Sequence, residues 1–246
     1  MPKISTLTEL TEPQQLDLFA VVDVDEADVT IKTKKVTKEN LLKNIESIDV
    51  KISNSLSAGS TVDYFNVDDG GNVRLNGEAT TWTDMLVPLT QSKVGANLKP
   101  DFNYTEITYE FPQNDITEYV TFTLQLPHSW KQGTTIYPHV HWKQTQNLTP
   151  VFKMDYKWFN IGDLVPATWS THIMNNLAKS YLGGSLHQIN DNPIGIDGIG
   201  KTISSMLLIK LYRDDNVYTG DVITYQFDIH YEIDSFGSNI QYVKEG

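Results

Sequence analysis

The pattern of apolar and polar residues in the second half of the chain alternates with a period of two. Residues 120–126, 152–158 and 223–233 each place apolar side chains at every second position and polar ones between them. Such alternation predicts strands with one buried and one polar face, as in antiparallel sheets. Residues 206–212 are apolar on both sides except for Lys210, which predicts a central strand. Residues 76–246 are therefore predicted to be mainly β, an antiparallel β-sandwich or jelly roll.

The first 48 residues are predicted to form a separate N-terminal attachment unit. An apolar run over residues 16–24, an acidic turn and a second run over 29–36 predict a β-hairpin, and Thr37 is a suitable N-cap for a short helix. Two strands and one short helix bury too little surface to be stable unaided, which predicts that this β-hairpin-plus-short-helix unit docks onto a partner. The apolar residues expected at that partner-docking contact are Leu16, Leu18, Phe19, Val21, Leu41 and Leu42.

Between these two units, residues 49–75 are rich in Ser, Asn, Asp and Gly and predict a connector with short strands. Two later segments are less regular. Residues 167–177 fit either a helical turn or another strand, and the Gly-rich residues 181–200 predict a long strandless loop of the kind that is often functional.

Composition narrows the function classes. The 246 residues contain no cysteine, which excludes disulfides and thiolate-bound zinc and fits a protein made in a reducing cytoplasm. A net charge of -12 argues against a nucleic-acid partner, because phosphates repel a surface of the same sign. No signal peptide and no apolar run of membrane-spanning length is visible, so no membrane insertion is expected.

Three histidines are the candidate metal ligands. His139 and His141 are two residues apart on a predicted strand and so face the same side, away from Val140 and Trp142. His230 shares the polar face of its own strand with Asp228. If the two strands are neighbours, imidazoles and a carboxylate converge, which is a chemically adequate set for a divalent metal. The alternative is a polar sheet face with ordinary hydrogen bonds, and we expect no cofactor on balance.

Two tryptophans are candidates for contact with a glycan. Trp130 and Trp169 lie in loop-like contexts, where their rings are free to stack on a sugar, whereas Trp142 and Trp158 fall on apolar strand faces and are predicted core residues.

Signals for catalysis are weak. The chain has no cysteine nucleophile and no Gly-x-Ser-x-Gly motif. The Gly-rich stretch that ends at Lys201 and Thr202 looks like a P-loop, but it follows the turn-forming residues 190–193 and not the strand that a P-loop requires. Acidic residues are plentiful enough for a glycosidase pair, but solvated carboxylates explain them equally well. The sequence therefore predicts a protein that is not an enzyme.

Several stretches resemble structural proteins of tailed-bacteriophage particles. Residues 4–23 and 33–42 look like the attachment end found at the start of many phage and prophage fibre and decoration proteins. Residues 73–82, 136–142, 212–215 and 227–234 resemble the β domain of phage structural proteins without assigned roles. The resemblance implies a component of the virion, made in the bacterial host cytoplasm and often homotrimeric.

We therefore expect a non-enzymatic virion structural component, namely a tail fibre, head fibre or capsid decoration protein. Its N-terminal unit would dock on other virion proteins of the capsid, neck or tail, and its β domain would form a homo-oligomer, with a trimer implied by the resemblance. The main alternative is an appendage that binds a receptor or a host surface glycan, and a weaker one is a polysaccharide hydrolase.

Overall fold

The computed structural model describes residues 56–68, 71–94, 99–242 and 244 in full, together with the backbone of residues 18–22 and 33–37. The chain divides into two compact units, Met1–Ile52 and Ser53–Gly246. Within the described part of the chain, no helix is long and apolar enough to cross a membrane.

In the first unit, β1 (Leu18–Val22) pairs antiparallel with β2 (Thr33–Thr37). Leu18 is opposite Thr37 and Val22 is opposite Thr33, so the two predicted strands do pair. Three of the predicted docking residues, Leu18, Phe19 and Val21, lie on β1. The predicted short helix and the docking residues Leu16, Leu41 and Leu42 lie outside the described residues.

The described part of the segment predicted as a connector belongs to a three-stranded antiparallel sheet of the second unit. Its strands are β3 (Leu56–Gly59), β4 (Tyr64–Val67) and β5 (Val73–Asn76). The Leu75 amide donates to the Asp234 carbonyl at 2.7 Å, which ties β5 to the C-terminal part of the chain. A tight turn follows at Gly77, which has a φ of 62° and whose missing Cβ would meet the Asp63 carboxylate at 2.3 Å.

Two larger sheets make up the rest of the second unit. In spatial order, the five-stranded sheet consists of β13 (Ser170–Met174), β12 (Phe152–Phe159), β16 (Met206–Arg213), β10 (Tyr119–Gln125) and β7 (Lys93–Val94). The seven-stranded sheet consists, in order, of β14 (Asn176–Leu177), β15 (Leu186–Asp191), β11 (Tyr137–Gln144), β17 (Val222–Ile233), β9 (Thr108–Phe111) and β8 (Asp101–Asn103), with β6 (Thr81–Pro88) also paired to β17. Every pairing is antiparallel, and the central strand β16 lies between β12 and β10 as its two-sided apolar pattern predicts. A short 3₁₀ turn, Leu89–Gln91, follows β6.

The two sheets enclose one apolar core. Phe122 of β10 stacks on Phe227 of β17, with ring centroids 5.5 Å apart, and Phe111 of β9 meets Phe152 of β12 edge to face at 6.1 Å. Aromatic pairs of this kind join the two layers and add to the burial of apolar area. The mainly β, antiparallel β-sandwich predicted from the alternation is confirmed.

The least regular segments contain strands that the sequence pattern did not settle. Residues 167–177 hold β13 and β14, so the strand alternative is the correct one. Residues 181–200 were expected to lack strands, but β15 lies within them and pairs with β11. The long Gly-rich context hides this strand, because only six residues of it are extended and their apolar positions are few.

A β-bulge changes the face of two residues in β17. His141 is opposite Gln226, whereas the next residue, Trp142, is opposite Thr224, so Tyr225 is an extra residue in the pairing. Val222 and Thr224 are consequently buried. An inserted residue reverses the side-chain order on a strand. The residues before the bulge therefore have the orientation opposite to the one that uninterrupted alternation predicts.

A buried ion pair lies at the turn that connects β16 to β17. Arg213 is fully buried, and its Nε donates to Asp215 at 2.6 Å while its other nitrogens donate to backbone carbonyls that include that of Gly220 at 2.5 Å. Burial would raise the pKa of Asp215, but Arg213 and backbone amides hold that pKa below its usual value. The guanidinium thus connects the turn to the core.

We expect Asp215→Ala to destabilise the sandwich by about 3–5 kcal/mol, because the substitution leaves a buried guanidinium without its counterion. Urea unfolding followed by tryptophan fluorescence measures the change. Asp214→Ala is the matched control, since Asp214 forms a partly exposed pair with Lys153 and its loss should cost no more than about 1 kcal/mol. Equal effects of the two substitutions would contradict a structural role for the buried pair.

Candidate functional site

A histidine-rich surface lies on the outer side of the seven-stranded sheet. Val140 and Trp142 of β11 are fully buried in the core, so the residues between and before them, His139 and His141, point to the opposite side. The predicted orientation of the His139–His141 pair is confirmed. Asp228 and His230 of β17 share this outer side, since the intervening Ile229 is buried in the core.

The pairing of β11 with β17 brings these residues together, as the metal hypothesis requires. His139 is directly opposite Asp228 in the register of the two strands. His139 Nε2 lies 2.6 Å from one carboxylate oxygen of Asp228, and His141 Nε2 lies 3.3 Å from the other. The side chains of His139 and Asp228 are only 3% and 4% exposed, so this contact is shielded from water, while that of His141 is 20% exposed.

The other ring nitrogens of the two histidines have partners of their own. His139 Nδ1 lies 3.3 Å from the Tyr137 carbonyl, which can only accept a hydrogen bond. His141 Nδ1 lies 2.7 Å from Nε2 of His187, and the two rings stack with centroids 5.0 Å apart. In both histidines the Nδ1 is therefore engaged, and Nε2 is the atom directed at Asp228.

His187 is a member of this surface that the sequence analysis missed. It lies on β15, where it is opposite Lys143 of β11. The strand was predicted as a loop, so no face could be assigned to its histidine. The signal that could have found it is the position of His187 next to Leu186 and before Gln188 in a short alternating stretch.

His230 has a different partner from the one predicted. Its Nε2 lies 2.8 Å from Asp84 of β6, and both side chains are 45% exposed. Its ring still contacts that of His139, with centroids 4.1 Å apart. Of the described His, Cys, Asp and Glu residues, the group whose ligand atoms all lie within 4.8 Å of one another is His139, His141 and Asp228. The candidate set therefore contains Asp228 in place of His230.

Charge and burial act against each other at this site. Burial would raise the pKa of Asp228, but His139 and His141 lower it to about 2. Burial lowers the pKa of His139, and the neighbouring Asp228 more than offsets this, so the pKa lies above its usual value. Burial, together with the charge of His141, lowers the pKa of His187. At neutral pH Asp228 is thus a carboxylate and His187 a neutral imidazole.

Polar pairs border the histidines on one side. Lys143 Nζ lies 2.5 Å from Glu106, and the Tyr225 hydroxyl donates to the same carboxylate at 3.3 Å. Tyr225 reaches this side of the sheet because of the bulge in β17. Trp82 of β6, an exposed aromatic residue, packs edge to face on Tyr137 with the two ring centroids 5.5 Å apart.

The structure separates the two tryptophans that were predicted to contact a glycan. Trp130 is fully buried, where its ring meets that of Trp158 at 5.7 Å and its Nε1 donates to Thr134 at 3.0 Å. The prediction for Trp130 is therefore wrong: its loop-like context is covered by the chain around Gly198, which packs directly against the ring. Trp142 and Trp158 are core residues, as predicted.

Trp169 is 47% exposed and remains available to a ligand. Lys157 Nζ lies 5.1 Å from the centre of its ring, within range of a cation–π interaction. Its neighbours Thr168 and Ser170 line a cleft of about 210 Å³ that also includes Tyr156 and Asp197. This cleft and the histidine-rich surface belong to different sheets.

Comparison with known proteins gives no family. No family model matches the chain, and no curated protein matches its sequence. One similar solved structure contains the CBM22-1–GH10 modules of xylanase Xyn10B from Clostridium thermocellum, complexed with xylohexaose. It shares 11% identity with this chain at a TM-score of 0.28, and the match covers 67% of this chain and 27% of that one. The structure of infectious bursal disease virus Gx strain shares 10% identity at a TM-score of 0.18, over 90% of this chain and 64% of that one. The chain spans less than two thirds of either protein, and likenesses this distant carry no argument about its function.

We expect Trp130→Ala to destabilise the protein by about 3–5 kcal/mol, because the substitution leaves a large cavity in the core. Trp169→Ala should cost clearly less, about 1 kcal/mol, since nearly half of this side chain is already in water. Urea unfolding of both variants measures the difference. A stable Trp130→Ala variant would contradict the burial of that ring.

Proposed function

We propose that the chain is a non-enzymatic structural component of a tailed-bacteriophage virion, of the tail fibre, head fibre or capsid decoration type. The observation that carries the proposal is the separate N-terminal unit, in whose described residues the regular structure is a single two-stranded sheet. An isolated pair of short strands is marginally stable in water, so its stability depends on additional packing. Docking on another virion protein supplies that packing.

Homo-oligomerisation of the sandwich is the second part of the proposal. Edge strands β7, β8 and β14 have only two or three residues, which limits further pairing, but β6 and β13 are longer edges with eight and five. Both carry exposed apolar side chains, Trp82 and Leu86 on β6 and Ile173 on β13. A long edge strand with apolar side chains favours pairing with another chain. The sequence resemblance implies that the oligomer is a trimer.

Attachment through the first unit rests on the same resemblance, which covers the N-terminal residues 4–23 and 33–42. Proteins with this pattern use it as their attachment end. The partner of the first unit is accordingly a capsid, neck or tail protein, and the sandwich is the part that contacts sibling subunits or projects outward.

We expect Phe19→Asp, introduced into the phage genome, to prevent incorporation of the chain into particles, because a charge in the proposed docking strand opposes burial against a partner. Mass spectrometry of purified particles measures incorporation. Leu164→Asp is the matched control, since Leu164 is 93% exposed in the second unit and should be incorporated normally. Absence of the wild-type chain from purified particles would refute a virion role, and normal incorporation of Phe19→Asp would refute docking through β1.

A receptor- or glycan-binding appendage is a second candidate function, and a specific observation favours it. Trp169 presents an exposed ring beside a polar cleft that contains Tyr156, Asp197 and Lys201. An exposed aromatic ring next to hydrogen-bonding groups suits a sugar, whose apolar face stacks on the ring while its hydroxyls contact the polar groups.

If this candidate is correct, Trp169→Ala should abolish binding on an array of host surface glycans, because the stacking platform is lost. Tyr104→Ala serves as the control, since Tyr104 is an exposed aromatic residue that follows β8 of the other sheet. Retained binding by Trp169→Ala, or no binding by the wild-type protein to any host glycan, would count against a glycan site at this cleft.

A further inference from the structure

We propose that His139, His141 and Asp228 bind one divalent transition-metal ion, with zinc as the best match, on the outer side of the seven-stranded sheet. The ion would join β11 to β17 at the centre of that sheet. This site goes beyond the proposed virion role, which does not require a metal.

The first argument is that three polar atoms at this point lack partners. His139 Nε2, His141 Nε2 and Asp228 Oδ1 are all shielded from solvent, and none has a hydrogen bond of acceptable geometry. This holds although His139 Nε2 and Asp228 Oδ1 are only 2.6 Å apart. Buried polar atoms without partners are rare because each carries a desolvation cost. A single cation among the three atoms would satisfy all of them.

The second argument is the orientation of the imidazoles. The Tyr137 carbonyl accepts from Nδ1 of His139, so the Nε2 of a neutral His139 carries a lone pair. Nε2 of His187 lies 2.7 Å from Nδ1 of His141. When His187 accepts the Nδ1 proton of His141, Nε2 of His141 likewise carries a lone pair. Metal-binding histidines commonly donate their second N–H to a carbonyl or another acceptor, which orients the ring. Two lone pairs directed at a carboxylate repel it unless a proton or a metal ion lies between them, and a single metal ion can serve both imidazoles at once.

The donor types indicate which ion fits. Calcium and magnesium prefer oxygen ligands, whereas two imidazoles and one carboxylate suit zinc and related transition metals. With metal–ligand bonds of about 2.0–2.2 Å, the ligand atoms of a tetrahedral site lie roughly 3.4 Å apart. The 3.3 Å separation of His141 Nε2 from Asp228 Oδ2 matches this value. His139 Nε2 contacts the other oxygen, Oδ1, at 2.6 Å, and this distance must lengthen by about 0.8 Å. Binding therefore requires the carboxylate to shift away from His139.

Access to the site is from the side of His141, whose side chain is 20% exposed. Three protein ligands leave a fourth position of a tetrahedral ion for water or for a group from another molecule. His230 is not a ligand in this assignment, because its Nε2 is directed at Asp84.

The test uses the full-length chain without a polyhistidine tag, freed of metal by a chelator. Isothermal titration with zinc chloride should show one ion per chain, and cobalt(II) should give the visible absorption bands of a four-coordinate site. Replacing a residue that only hydrogen-bonds a metal ligand typically lowers metal affinity by roughly 10- to 100-fold, and His187→Gln should fall within that range. Asp228→Asn and His139→Gln remove ligands themselves and should lower the affinity for zinc by more. His230→Gln is the matched control and should bind as the wild type does.

Circular dichroism and thermal unfolding without metal establish that each variant is folded. If Asp228→Asn or His139→Gln does not fold, His141→Gln at the more exposed position takes its place, and X-ray absorption of the zinc-loaded wild type counts the imidazoles. Two imidazoles support the site, and any other number overturns it. Failure of the wild type to bind zinc or cobalt would overturn the proposal, and so would a loss of affinity in His230→Gln as large as that in Asp228→Asn.

Discussion

The antiparallel pairing of β11 with β17 is the constraint on which the rest of the sandwich depends. β17 is twelve residues long and receives β11 on one side and both β6 and β9 on the other. The register that places His139 opposite Asp228 also directs Val140 and Phe227 into the core. A shift of one residue would exchange the two faces, directing the histidines into the apolar core and the apolar side chains to the outer side. The core and the histidine-rich surface are therefore consequences of one register.

Among the buried charged groups of the described residues, those at Arg213 and at Asp228 differ in how completely they are satisfied. Arg213 is surrounded by acceptors, since Asp215 and backbone carbonyls receive its donors. At the histidine-rich surface, by contrast, atoms of His139 and Asp228 are close together without a good hydrogen bond. A fully satisfied group of this kind stabilises a fold, while a partly satisfied one is typical of a site that binds something. This contrast is the reason for proposing the metal on the outer side of the seven-stranded sheet and not at Arg213.

The proposed functions use separate parts of the molecule. Docking on a virion rests on the first unit, assembly on the edges β6 and β13, and glycan binding on the cleft beside Trp169. A metal between β11 and β17 would hold the central strands of the seven-stranded sheet and leave those edges free. Each role can consequently be tested without disturbing the others.

Period-two alternation was enough to predict the β-sandwich, because burial on one face of a strand is a local property that residues such as Phe122, Met154 and Ile229 record directly. It also placed His139 and His141 on one side of their strand. Which strands become neighbours is decided by long-range pairing, so the sequence could propose His230 as a third ligand but could not show that Asp228 lies opposite His139 and Asp84 opposite His230. The bulge at Tyr225, the strand that carries His187 and the burial of Trp130 likewise depend on contacts between residues far apart in the chain. Local patterns contain no information about such contacts, and only the tertiary structure determines them.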